Sequence, residues 1–169
     1  MNLNKFCFLF AAILCLCIFS FSETQAQSNK LPPFRIMQSN GKVFKAEDLP
    51  FEKPILIIYF SPDCDDCVKF MDSLFKRIDA FNGTSVVLIT YLSIGELTEF
   101  TNKYKINNFR NIYTGTEGST NFIKNYYKMD GIPFAALYDK NGSIISSYCK
   151  NIPLNNMIAS LKKLLHPNL

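Results

Sequence analysis

The chain has 169 residues, 48% of them hydrophobic and 19% charged, a length that suits one domain with a real core and no need of disulfides to hold it. Its 18 Lys and Arg against 14 Asp and Glu leave a formal charge of +4. The basic residues are not gathered into runs, so a nucleic-acid patch is excluded in favour of a solvated mixed surface.

The first residues read as an export signal. Lys5 supplies a positive start, Phe6 to Phe21 is almost wholly apolar, and Thr24-Gln25-Ala26 offers a small residue for cleavage. The apolar run is shorter than the roughly 20 residues of a membrane-spanning helix. Residues 1–26 are therefore expected to be a signal peptide and 27–169 the mature domain, with an uncleaved N-terminal anchor as the second possibility. Leu14 and Leu16 stand where the signal for a lipidated Cys15 or Cys17 wants a small residue. With Cys7, Cys15 and Cys17 assigned to the signal, the mature chain keeps Cys64, Cys67 and Cys149. One tight pair plus an odd cysteine, outside the reducing cytosol, points to a working dithiol rather than a disulfide framework.

After a polar, proline-ended lead-in from Gln27 to Pro33, the segments Phe34–Met37 and Val43-Phe44 flank Ser39-Asn40-Gly41 as a small hairpin. Pro54 to Phe60 is a continuous, β-branched-rich run, the pattern of a central strand covered on both faces. The next helix should turn Val68, Met71, Leu74 or Phe75, Ile78 and Phe81 inward, with Asp72, Lys76 and Asp79 among its polar positions. Asn82-Gly83 stops it, and Ser85 to Leu92 is a second buried strand.

A helix from about Gly95 to Lys105 follows, with Leu97, Phe100 and Tyr104 inward, then a short strand Phe109–Tyr113 and a short helix Thr120–Tyr127 bearing Phe122, Ile123 and Tyr126. Beyond Gly131-Ile132-Pro133, the strand Phe134–Tyr138 and its partner Ser143–Cys149 enclose the turn Asp139-Lys140-Asn141-Gly142, a strong hairpin signal. Pro153 opens a last helix that buries Leu154, Met157, Ile158, Leu161 and Leu165. Strands alternating with helices, closed by a hairpin and a helix, imply an α/β sandwich on a mixed sheet.

The chemistry concentrates in Ser61-Pro62-Asp63-Cys64-Asp65-Asp66-Cys67, where a strand ends, a turn follows and a helix begins. Two residues between the thiols let one turn of helix bring the sulfurs together, so a bridge can close and reopen. Cys64, at the helix start and the more exposed, is expected to attack; Cys67, a turn further in, resolves the mixed disulfide. Asp63, Asp65 and Asp66 place negative charge around Cys64 and disfavour its thiolate, while the helix N-terminus and Lys69 oppose them. Three carboxylates against one exposed lysine imply a reducing rather than strongly oxidising couple. Asp63 and Asp66 also have the spacing of a helix cap.

With these landmarks the chain resembles the thioredoxin superfamily, and within it the exported TlpA/ResA-like branch, over nearly all of the mature length. The resemblance rests on the Cys64-x-x-Cys67 helix start, Gly131-Ile132-Pro133 before a strand, and Asp139-Lys140-Asn141-Gly142 in the closing hairpin. It implies a thioredoxin-like three-layer sandwich with a mixed central sheet, an N-terminal hairpin and a central helix–strand–helix insertion from Leu97 to Tyr127. It also implies a cis Ile132–Pro133 peptide facing the dithiol, whose exposed backbone pairs with an extended client segment. The implied partners are client proteins with dithiols or disulfides and a membrane-embedded thiol donor of electrons, in the periplasm or outside the cell. No cofactor, metal or nucleic acid is implied. The chain departs from thioredoxins proper in having Asp63 where an aromatic is common, no tryptophan, and Ile58 where they bury a carboxylate.

Other readings of the pair are weaker. Zinc needs four ligands, and Cys149 and the lone His166 make no second pair of recognisable spacing. Covalent haem attachment would need a histidine where Val68 stands. A static disulfide is the bland alternative. A peroxiredoxin-like peroxidase suits the insertion, and Ser61-x-x-Cys64 faintly echoes its motif, but Ile57 replaces the required proline. A thioredoxin-fold module that binds clients without electron transfer is the alternative from a different class. Cys149 is expected to be a buried small hydrophobe, His166 to be surface, and Asn82-Gly83-Thr84 and Asn141-Gly142-Ser143 to be turns that happen to match glycosylation acceptors.

Overall fold

The computed structural model describes residues 29–50 and 52–166; the expected export segment, with Cys7, Cys15 and Cys17, lies outside the described residues. Seven strands form one sheet: β1 Arg35–Met37, β2 Val43–Lys45, β3 Ile55–Tyr59, β4 Ser85–Thr90, β5 Ile112–Thr116, β6 Phe134–Tyr138 and β7 Ile144–Cys149, in the order β2-β1-β5-β4-β3-β6-β7. The sheet is open and mixed. β3 runs parallel to β4 and β4 to β5, whereas β6 is antiparallel to both β3 and β7. The parallel pairs require crossovers, and these are helices α1 Asp65–Phe75 and α2 Ile94–Lys103. A short α3 Phe122–Tyr126 precedes β6, and α4 Leu154–Leu165 closes the chain.

The run at β3 is continuous because both faces of the strand are covered. Leu56 and Ile58 pack with Met71 and Leu74 of α1 and Met157, Ile158 and Leu161 of α4. Ile55, Ile57 and Tyr59 face the other layer, with Phe34, Ile36, Ile123 and Tyr127. All five residues of β3 are fully buried, and each such apolar side chain is worth about 1.5–3 kcal/mol. The sandwich is therefore three-layered, with α1, α2 and α4 on one side of the sheet and α3 on the other.

Several boundaries differ from the sequence expectation, three of them most clearly. The helix after the cysteines ends at Phe75, and a separate 3-10 turn spans Ile78–Phe81. Arg77 leaves helical geometry at φ −125° and its N–H donates to the Leu74 carbonyl, so the last turn tightens and breaks. The third core strand lies at 112–116 rather than 109–113. Phe109 instead ends a 3-10 turn over Ile106–Asn108 and packs its ring against Phe75. Finally, α2 starts at Ile94, where Ser93 and Glu96 cap it reciprocally, and stops before Lys105, which is left-handed at φ 52°.

Candidate functional site

The site stands at one edge of the sheet. Tyr59, at the end of β3, is paired with Ile89 of β4 and with Phe134 of β6. The chain leaving β3 through Ser61-Pro62-Asp63 and the chain entering β6 through Ile132-Pro133 therefore emerge side by side. The Ile132–Pro133 peptide is cis. Ile132 packs against both core layers, Cys64 packs against the α1 side, and the Pro133 carbonyl accepts the Lys150 N–H at 2.7 Å. Among the described residues, the Ile132 N–H and carbonyl make no backbone hydrogen bond.

Cys64 is the N-cap of α1, with extended backbone at φ −97° and ψ 118°. Its Sγ accepts the Cys67 N–H at 3.3 Å, the place a serine or aspartate oxygen usually takes. The sulfur therefore sits at the positive end of the helix dipole. Cys67 is fully buried behind it, and Cys64 is half-buried. Both are free thiols. Burial pushes the Cys67 thiol up to about 12; the Cys64 side chain adds to this, and the Ser61 backbone opposes it.

The capping role expected of Asp63 belongs to Cys64 itself. Asp63 precedes the cap and accepts a hydrogen bond from the Ser61 hydroxyl, which ties the turn together. Asp65 and Asp66 occupy the first helical turn, exposed. Asp66 pairs with Lys69 at 3.2 Å, both side chains 76% exposed. The one cation expected to offset the acids is thus partnered with one of them, and a pair this exposed contributes little.

Cys149 departs from the expected buried hydrophobe. It is half-buried, and its thiol donates to Asp130 Oδ1 at 2.9 Å and approaches the Gly131 carbonyl at 3.2 Å. Burial first, then Asp130, holds this thiol above the ordinary range. Lys150 bonds the other Asp130 oxygen at 3.3 Å, so the end of β7 clasps the loop that leads into the cis peptide. His166 is exposed, as expected.

Two features carry no signal in the sequence. Glu117 is a buried carboxylate, 7% exposed, that accepts the Tyr59 hydroxyl at 2.7 Å and the Ile123 N–H at 2.8 Å. It lies with Tyr59 on the sheet face opposite Cys67, so it braces α3 rather than serving the dithiol. The second is a pocket of about 420 Å³ between α1 and α2, lined on the dithiol side by Ser61, Asp63, Cys67 and Met71. Residues of α2 reach it only through tertiary packing, and no local pattern marks that.

No protein-family model matches this sequence, and no curated protein matches it. Solved structures do. A thiol:disulfide interchange protein of the thioredoxin family from Chlorobium tepidum superposes with a TM-score of 0.64 at 16% identity, over 80% of this chain and 95% of that one. A secreted disulfide oxidoreductase of Mycobacterium tuberculosis gives 0.62 at 20% identity, over 76% and 96%. The exposed lipoprotein thioredoxin of Streptococcus pneumoniae gives 0.60 at 18%, over 79% and 100%.

Proposed function

We propose that this chain, which has the thioredoxin-like fold, is an exported thiol–disulfide oxidoreductase that reduces or exchanges disulfides in client proteins. One observation carries the reading: Cys64 caps α1 with its sulfur on the Cys67 N–H, and Cys67 is buried directly behind it. The attacking sulfur is thereby held at the helix N-terminus, where a client can reach it. The resolving sulfur is kept protonated and out of reach until the first bond has formed.

In the reducing direction the Cys64 thiolate attacks a client disulfide, forming a mixed disulfide and releasing one client thiolate. Cys67 gives up its proton and attacks the Cys64 sulfur, releasing the second client thiolate. The Cys64–Cys67 disulfide remains, two electrons have passed to the client, and its two thiolates take up the Cys67 proton and one from solvent. A client segment laid along Ile132 finds its unpaired backbone N–H and carbonyl ready to extend the sheet. Asp63, Asp65 and Asp66 set negative charge beside Cys64, the arrangement expected of a reducing rather than strongly oxidising couple. A reductant must then restore the dithiol, and a membrane-embedded thiol protein is the chemical class that fits an exported enzyme.

Neighbours whose names describe a secreted disulfide oxidoreductase and an exposed lipoprotein support export. Equilibration against glutathione tests the reading. The expected potential lies nearer thioredoxin's value of about −270 mV than the roughly −120 mV of a strongly oxidising dithiol protein. The protein should also reduce a disulfide peptide while leaving hydrogen peroxide untouched. Peroxide turnover with no peptide reduction would favour the peroxidase reading instead.

A further inference from the structure

The pocket beside Cys67 is not needed for exchange as such, yet it opens against the resolving thiol and has a divided chemistry. Its floor is apolar and buried: Phe60, Met71 and Phe100. Its mouth carries three carboxylates, Asp63, Glu96 and Glu99. Lys103 also reaches the mouth, but its ammonium lies 4.0 Å from Asp72 and 4.9 Å over the Tyr104 ring. One ammonium, itself shared with Asp72, stands against three carboxylates, so the opening presents net negative charge. Asp63 is bonded by Ser61, and Glu96 caps α2 through Ser93. Glu99 has no hydrogen-bond or salt-bridge partner among the described residues.

We infer that this pocket is a specificity site for a basic residue next to the client's reacting cysteine, an inference that rests on the oxidoreductase reading of the same dithiol. Arginine and lysine have an apolar stem and a charged head. The stem lies along Phe60, Met71 and Phe100, and the head meets Glu99 and its neighbours at the mouth. An acidic client residue would bring like charges together there. A plain apolar residue would fill the floor but leave the carboxylates without a counter-charge. The occupant is therefore a client segment with arginine or lysine within a few residues of its cysteine. Cys64 and the pocket share the Ser61–Asp63 turn, which puts such a residue in reach once the cysteine is at Cys64.

Three disulfide peptides, identical except for Arg, Ala or Glu two residues from one cysteine, provide the test. Reduction rates are measured as kcat/KM, and affinities of the linear cysteine-to-serine versions by fluorescence anisotropy. The Arg peptide should exceed the Glu peptide by about tenfold in both. Glu99→Gln should shrink that ratio severalfold, and Glu99→Lys should move the preference toward the Glu peptide. Equal behaviour of the three peptides overturns the specificity site, even if all are reduced. Unreduced peptides whose affinities keep the Arg preference would overturn the enzyme reading and uphold the pocket.

Discussion

In the proposed cycle, release of the client turns on a single side chain, Cys67. It is fully buried, and desolvation, followed by the neighbouring Cys64, pushes its thiol up to about 12. The thiol form therefore dominates at neutral pH, and in the proposed cycle release of the mixed disulfide requires its deprotonation. The sign is that of an acid with a raised value: the protonated form dominates below it, and the reactive form grows as pH rises. Release in a single-turnover experiment should therefore accelerate about tenfold per pH unit from neutral to mildly alkaline conditions. A flat profile would mean that a nearby base accepts the proton and removes this dependence. Ile58, buried in the apolar layer where thioredoxins proper carry a carboxylate, offers none. The same raised value costs the dithiol form stability once pH climbs past the ordinary cysteine range, because the unfolded chain ionises first.

Among the elements, β5 shows best how packing overrides pattern. Its sequence Ile112-Tyr113-Thr114-Gly115-Thr116 looks in part like a turn, and pattern alone favours the more apolar Phe109–Tyr113, three residues too early. The strand exists where it does because Gly115 lets Ile36 of β1 press onto it. A Cβ at that position would lie 2.7 Å from Ile36 Cγ1. Gly115→Ala should therefore destabilise the fold by about 1–3 kcal/mol, seen as a lower midpoint in urea, and Ile36→Ala in the same background should recover part of the loss. Full stability in Gly115→Ala would refute the close approach. The elements with clean periodicity, β3, β4, β6, β7 and α4, are legible in the sequence because period and flanking turn residues agree locally. The position of β5 depends on contacts distant in sequence, and α1 ends at a local break at Arg77 that no residue pattern marks.

Across the whole molecule, what the sheet does is bring separate stretches to one edge. The pairing of Tyr59 with Phe134 sets Ser61–Cys67 beside Ile132-Pro133, which lie far apart in the sequence. The two cysteines and the proline are readable from spacing and context, since strand, turn and helix N-terminus are local features. The pocket on α2 is not, because Glu96 and Glu99 meet Cys67 only through the crossover from β4. Nor is the clasp of Cys149 and Lys150 on Asp130, which needs the β6–β7 register.

The division of labour between the two sulfurs is tested most directly by covalent trapping. Cys67→Ser protein incubated with a disulfide peptide should accumulate a mixed disulfide, and peptide mapping by mass spectrometry should place it on Cys64. Cys64→Ser protein should accumulate none. An adduct carried by Cys67 or Cys149, or no adduct on any variant, would contradict a dithiol in which Cys64 attacks and Cys67 resolves.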